Sequence, residues 1–160
     1  MKKQKGFSLI ELLIVVAIIL IIAAIAIPNL MRARMSANES SAAASIRTIN
    51  TGEVSYAATY PAIGFTDLAS IGGPAAGCVP AAASGCFIDG VLSAGTKEGY
   101  TFAATPGTAV NGVNMGYTSV GNAGTINQTG TRSFCSDQSG VIYYLSGANG
   151  CTAAGGQVLQ

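Results

Sequence analysis

Hydrophobic and polar positions divide the chain into three stretches. Residues 1–6 are polar and basic, and Phe7 to Ile27 is an apolar run of 21 residues interrupted only by Ser8 and Glu11. At 1.5 Å per residue such a helix is about 31 Å long, the thickness of a bilayer's hydrocarbon core. Ile, Leu and Val dominate the run and it holds no glycine, so it predicts one continuous helix. Pro28 removes a backbone donor and crowds the carbonyl of Ala24, which predicts a kink. From Asn29 to about Tyr60 the pattern is helical again. Ala42, Ile46, Ile49, Glu53, Tyr56 and Tyr60 recur at spacings of 4, 3, 4, 3 and 4, one face of a helix. Gly52 weakens that helix, and Pro61 ends it because the residue before a proline avoids the helical region.

Residues 61–98 break into turns at "GG", "GP" and "AAASG", with a short strand expected near Phe87 to Leu92. Beyond Gly99 the pattern becomes strand-like. Tyr100–Ala104, Val113–Val120, Arg132–Cys135 and Val141–Leu145 are rich in Tyr, Phe, Val, Ile and Thr between glycine-rich turns. The "CSDQSG" segment reads as a hairpin connection, so the last two strands should pair antiparallel. The expected fold is α+β: a long N-terminal α-helix, apolar then amphipathic, followed by a small antiparallel β-sheet. Residues 1–6, 7–28 and 29–160 are the corresponding leader, apolar helix, and amphipathic helix plus globular domain.

Charge sharpens this picture. Only 9% of residues are charged, against roughly 25% in ordinary soluble proteins. Such a surface suits packing against copies of itself, glycosylation, or a loop-rich extracellular domain. Lys2, Lys3 and Lys5 lie ahead of Gly6, and without them five basic residues face seven acidic ones. No basic patch remains, so nucleic acid is not the expected ligand. The lysines put the N-terminal end of the apolar helix on the cytoplasmic side and the remainder outside. A cleaved secretory signal is the rival reading, but its apolar core should be 7 to 15 residues, shorter than this run.

Cys78, Cys86, Cys135 and Cys151 all follow the apolar helix. An even count beyond a membrane-targeting start predicts two disulfides in an oxidising compartment. Three pairings exist. Cys78–Cys86 with Cys135–Cys151 is preferred, because each pair brackets one glycine-containing loop. Zinc is the competing use, yet the chain has no histidine and no C-x-x-C. No metal and no cofactor is expected.

Catalytic chemistry is not expected either. The usual base for an activated nucleophile is missing, and neither G-x-S-x-G nor S-x-x-K occurs. Asn38-Glu39-Ser40 and Asn127-Gln128-Thr129 fit the glycosylation pattern, but one so short arises often by chance. Tyr56, Tyr60, Tyr100, Phe102, Tyr143 and Tyr144 are assigned to core and interface packing.

The single carboxylate of the apolar run, Glu11, is the informative residue. Ionised acids at membrane depth are costly without a partner and are usually functional. Gly6-Phe7-Ser8-Leu9-Ile10-Glu11, with its basic leader and the apolar run behind it, resembles the signal of type IV pilins and pseudopilins. The resemblance extends through "AIPNLMRAR", to roughly residue 50. It implies that a prepilin peptidase cleaves between Gly6 and Phe7 and methylates the new amine of Phe7. It further implies an inner-membrane precursor with a periplasmic C-terminal domain, then a homopolymeric pilus on the cell surface. An assembly platform with a cytoplasmic ATPase would be its partner. Many relatives carry glycine where this chain has Leu20, so helix unwinding in a filament would depend mainly on Pro28.

Two uses of Glu11 stand side by side. Ser8-x-x-Glu11 fits a capping box, in which the carboxylate bonds back to a free backbone N–H. After cleavage, Phe7 carries a positive amine four residues away on the same helix face, and Glu11 can neutralise it within the chain or in a neighbouring subunit. The second use would set assembly register, and it is preferred. A structural pilus subunit is thus the leading expectation, with Phe7, Glu11 and Pro28 as assembly residues. The major pseudopilin of a type II secretion system and a non-polymerising bitopic envelope protein are the alternatives. Major pseudopilins typically bind calcium near the end of the sheet, whereas here Asp137 is the sole acid after Glu98.

Overall fold

The computed structural model describes residues 7–74 and 76–159. The leader, Gly6 included, lies outside the described residues. Helix α1 runs from Leu9 to Thr59 and is continuous through Pro28. The chain forms two compact units, divided between Arg34 and Met35.

In the first unit, α1 presents Leu, Ile and Val on every side. Leu9, Ile14, Ile19, Ile22 and Ile27 are all exposed, as is Phe7 ahead of the helix. A helix that is apolar all round needs a non-aqueous surrounding, whether lipid or other helices.

The second unit has its own core. Ala42, Ile46, Ile49, Glu53 and Tyr56 of α1 are buried, and Tyr60 is half-buried just past the helix, so the spacing of the sequence marks the packed face. Ile46 and Ile49 meet Leu68, Ile71, Leu92, Tyr100, Phe102 and Phe134 in one cluster. Gly52 belongs to that packing. A Cβ there would lie 2.8 Å from a methyl of Ile71 and 2.8 Å from one of Ile88. The glycine that weakens the helix therefore permits close approach of the segments beneath it.

Two short helices follow α1: α2, Leu68–Gly72, and α3, Gly90–Ser93. The strand expected near Phe87–Leu92 is absent, and α3 takes its place. Asp89 caps it, accepting the N–H groups of Val91 and Leu92 at 3.1 and 2.9 Å. Those two bonds satisfy orphan donors of a first turn and outweigh the strand preference of the apolar residues.

Among the described residues, eight strands complete the unit. In chain order they are β1 (Thr96–Lys97), β2 (Tyr100–Pro106), β3 (Ala109–Val110), β4 (Val113–Asn114), β5 (Tyr117–Ala123), β6 (Arg132–Asp137), β7 (Ile142–Ser146) and β8 (Gln157–Val158). Six form one sheet in the order β1-β2-β5-β6-β7-β8, with every pair antiparallel. Alternation is clean in β2, where Tyr100, Phe102 and Ala104 are buried between exposed neighbours. The single strand expected over Val113–Val120 is divided. Val113–Asn114 turns back on Ala109–Val110 as a separate two-stranded ribbon, and the main strand starts at Tyr117. The cause is Asn111-Gly112, both at positive φ (52° and 83°), the requirement of a two-residue hairpin turn. The fold is α+β, a long N-terminal helix and an antiparallel sheet, with Cys135–Cys151 closing the C-terminal segment.

Candidate functional site

Glu11 reaches backward at the start of α1. Its Oε2 accepts the backbone N–H of Ser8 at 3.2 Å, while Leu12 N–H donates to the Ser8 carbonyl at 3.2 Å. This is the carboxylate half of a capping box, made in a chain that continues before Phe7. Phe7 is 74% exposed next to it. The geometry thus brings Ser8 and Glu11 together and holds the carboxylate at the helix end, within a turn of the Phe7 nitrogen. Pro28 is exposed inside the helix.

Two carboxylates of the second unit, Glu39 and Glu53, are buried, and both lie on α1. Glu39 Oε1 accepts the Thr131 N–H and hydroxyl, each at 2.6 Å, and Oε2 accepts Arg132 Nε–H at 2.8 Å. Burial alone would raise its pKa, but the bonds from Thr131 and the Arg132 guanidinium outweigh that and hold it below the ordinary value. Asn38 alongside donates to the Thr129 carbonyl at 2.9 Å, and its amide is thereby engaged in packing the helix on the 125–131 loop.

Glu53 differs. It is fully buried, Oε2 accepts the Thr66 N–H at 3.1 Å, and Oε1 has no partner. Burial first, then the nearby Asp67 carboxylate, push its pKa up to about 7 against the lowering effect of the Thr66 bond. One turn earlier, Asn50 is fully engaged: it donates to Ser136 Oγ at 2.8 Å and accepts from the Tyr117 hydroxyl at 3.0 Å. Sequence reasoning put Glu53 on the packed face by its spacing. Nothing local could have linked Glu39 to Thr131 and Arg132, which lie more than ninety residues away.

The disulfides are Cys78–Cys86 and Cys135–Cys151, with Cα–Cα distances of 6.0 and 5.5 Å. Cys135 lies in β6 opposite Val120 and Tyr143, so the second bridge ties the tail to the middle of the sheet. Among the described residues no three His, Cys, Asp or Glu side chains gather as a metal site would need.

The site is therefore an apolar helix exposed on all sides with a carboxylate capping its start, a surface that needs a lipid or protein surrounding. Comparison with known proteins finds likeness in the N-terminal segment. Residues 1–27 match the model of the prokaryotic N-terminal methylation motif. The chain is 64% identical over 39 residues to the type IV wide pilus major component PilA4 of Thermus thermophilus, a match covering 24% of this chain and 30% of that protein. It is 44% identical over 54 residues to the type IV major pilin protein PilA of Myxococcus xanthus, covering 34% of this chain and 24% of that protein. The matched segments thus span less than a third of either relative's length. No solved structure matches the chain significantly. The N-terminal segment of the chain is thus similar to that of type IV pilins.

Proposed function

We propose that this protein is the structural subunit of a type IV pilus. A prepilin peptidase removes residues 1–6, the new amine of Phe7 is methylated, and the mature chain polymerises through its N-terminal helix. Before assembly the apolar half of α1 anchors the subunit in the inner membrane, with the sheet domain in the periplasm. Afterwards the same side chains exchange lipid for the helices of other copies in a surface filament. An assembly platform and its cytoplasmic ATPase drive the exchange. The protein's role is structural rather than catalytic.

One observation carries this reading. Glu11 is the sole acid on an otherwise apolar, wholly exposed helical stretch, and it sits on the backbone N–H one residue beyond Phe7. Removing the leader creates a cation at the positive end of the helix dipole, where it is disfavoured. A carboxylate already at that end can neutralise it, in its own chain or the next. In an apolar surrounding an unpaired Glu11 is costly, so pairing is strongly driven.

Intact-mass measurement of subunits from sheared surface filaments tests the proposal. The expected chain begins at Phe7 and carries one extra methylene. Filaments whose subunits retain Met1 to Gly6, or a processed chain that never enters filaments, would refute it.

A further inference from the structure

Glu53 has no part in the role proposed above, yet it is the most deeply buried ionisable side chain among the described residues. Its side chain is 0% exposed, and one of its two oxygens is buried without a partner. The other oxygen holds a single donor, the N–H of Thr66, at 3.1 Å.

Thr66 belongs to the segment 60–67, which joins α1 to α2 as a strap. Its start is fixed by the Tyr60 N–H on the Tyr56 carbonyl at 2.8 Å, and its end by Asp67, the cap of α2. One edge is fastened to Asn114 of the β3–β4 ribbon. Phe65 N–H donates to the Asn114 carbonyl at 3.1 Å, Asn114 N–H to the Ile63 carbonyl at 2.8 Å, and Asn114 Nδ2 to the Phe65 carbonyl at 2.7 Å. The Phe65 ring lies against Tyr117, with centroids 4.9 Å apart. Glu53 is the fastening from beneath.

We propose that Glu53 is a protonation latch: its neutral carboxyl keeps the strap of residues 60–67 closed on the domain, and its ionisation releases that strap.

A neutral acid in this position leaves an uncharged oxygen unsatisfied. A carboxylate leaves a buried charge with one hydrogen bond, which costs far more. The groups facing it offer no relief. Asp67 at the head of α2 has the same sign. The Tyr117 hydroxyl of β5 donates to Asn50, and burial raises its own pKa, as it does that of Tyr56 on α1. Neither of the two ion pairs among the described residues includes Glu53. Water is the remaining partner for a charge there, and Glu53 is fully buried from it in the closed domain.

The sign follows from linkage. A carboxyl whose folded pKa is raised binds more protons folded than unfolded, so closure is favoured below that pKa and weakens as pH rises through it. Release would uncover Phe65 and the Tyr117 ring and leave the β3–β4 ribbon held by its own pairing alone.

The test is hydrogen exchange followed by mass spectrometry on the full chain in detergent micelles, at pH of about 5.5 and about 8.5, corrected for the intrinsic base dependence of exchange. Protection of the Ile63–Thr66 amides should fall about tenfold or more between the two, with a midpoint near 7. In Glu53→Gln the protection should not change with pH. Asp67→Asn retains a capping side chain and removes the neighbouring charge, so its midpoint should move to lower pH. Wild-type protection that is flat with pH, or a Glu53→Gln protein with the wild-type response, would overturn the latch. Should Glu53→Gln not fold, an Asp67→Asn midpoint equal to the wild type's would overturn it as well.

Discussion

Arg132 donates its Nε–H to Glu39 Oε2 at 2.8 Å, and its guanidinium lies 5.6 Å above the Phe134 ring and 5.5 Å from that of Tyr144. The pair ties α1 to β6 across 93 residues of chain, and Thr131 completes the carboxylate's shell. A depressed carboxyl pKa contributes stability that is present above the ordinary carboxylate range and is lost as pH falls through the folded value. Melting temperature should therefore drop steeply on acidification below about pH 4. Glu39→Ala should remove that component and leave the Thr131 N–H unsatisfied, at a cost of about 1–3 kcal/mol at neutral pH. Equal acid sensitivity in the variant would show that other carboxylates set the transition.

Gly52 offers a second test. Alanine would gain about 1 kcal/mol of helix propensity. Its Cβ would also press on buried methyl groups of Ile71 and Ile88 at 2.8 Å, and overpacking of this kind costs about 1–3 kcal/mol. Denaturant titration should show Gly52→Ala no more stable than wild type, and Gly52→Val clearly less stable. A stabilised Gly52→Ala would mean that α2 and the 85–88 segment move aside freely.

Reduction of Cys135–Cys151 should be felt in the same assay. The two cysteines are 16 apart in sequence, a loop for which the chain-entropy model gives about 3 kcal/mol. Both are buried, and apart from the two-residue β8 the tail is held by single hydrogen bonds, such as Asn149 Nδ2–H to the Ala123 carbonyl at 2.9 Å and Leu159 N–H to the Ile142 carbonyl at 2.8 Å. Cys135→Ser with Cys151→Ser should lower the melting temperature of the sheet domain. Peptide mapping without reduction should recover Cys78 linked to Cys86 and Cys135 linked to Cys151; a Cys78–Cys135 peptide would refute the arrangement.

The helix was legible because its signal is periodic and long. Ala42 to Tyr60 repeats every three or four residues, and the packed face follows it residue by residue. The sheet was legible where apolar runs were bounded by glycine. It differs at Val113–Val120, where β-propensity joins β4 to β5, although the Asn111-Gly112 turn folds β4 back onto β3 and leaves β5 to start at Tyr117. That turn is visible in the sequence as Asn-Gly and was outvoted by its neighbours. The Asp89 cap is a similar local signal, overlooked behind Phe87 and Ile88. At the site, Glu11 announced itself by being an acid among aliphatic residues. The setting of Glu39 could not be read, because its partners are brought to it only by the pairing of β5 with β6 and the packing of α1.

Calcium separates the proposed pilus subunit from the alternative of a secretion pseudopilin. Asp137 is the last residue of β6, two beyond Cys135, and its Oδ1 already accepts the Ser139 N–H at 2.9 Å and the Ser139 hydroxyl. A calcium ion takes six to eight oxygens, usually several of them from carboxylates. The melting temperature should be the same in calcium and in excess chelator. A fall on chelation that micromolar calcium reverses would favour the secretion pseudopilus over the pilus.

Glu11 provides the sharpest test of assembly. As a cap alone, accepting the Ser8 N–H, it would contribute about 0.5–2 kcal/mol to one helix end, and its loss would leave polymerisation intact. As the partner of a methylated amine it would decide which axial position a new subunit can occupy, and its loss would leave that cation unpaired in an apolar core. The second role predicts that Glu11→Ala inserts in the membrane and loses its leader normally while filament yield collapses. Glu11→Gln discriminates further, because an amide can still accept the Ser8 N–H but cannot neutralise the amine. Filament yield should collapse equally in both variants. A Glu11→Gln chain that assembles as well as wild type would reduce Glu11 to a helix cap and end the register model.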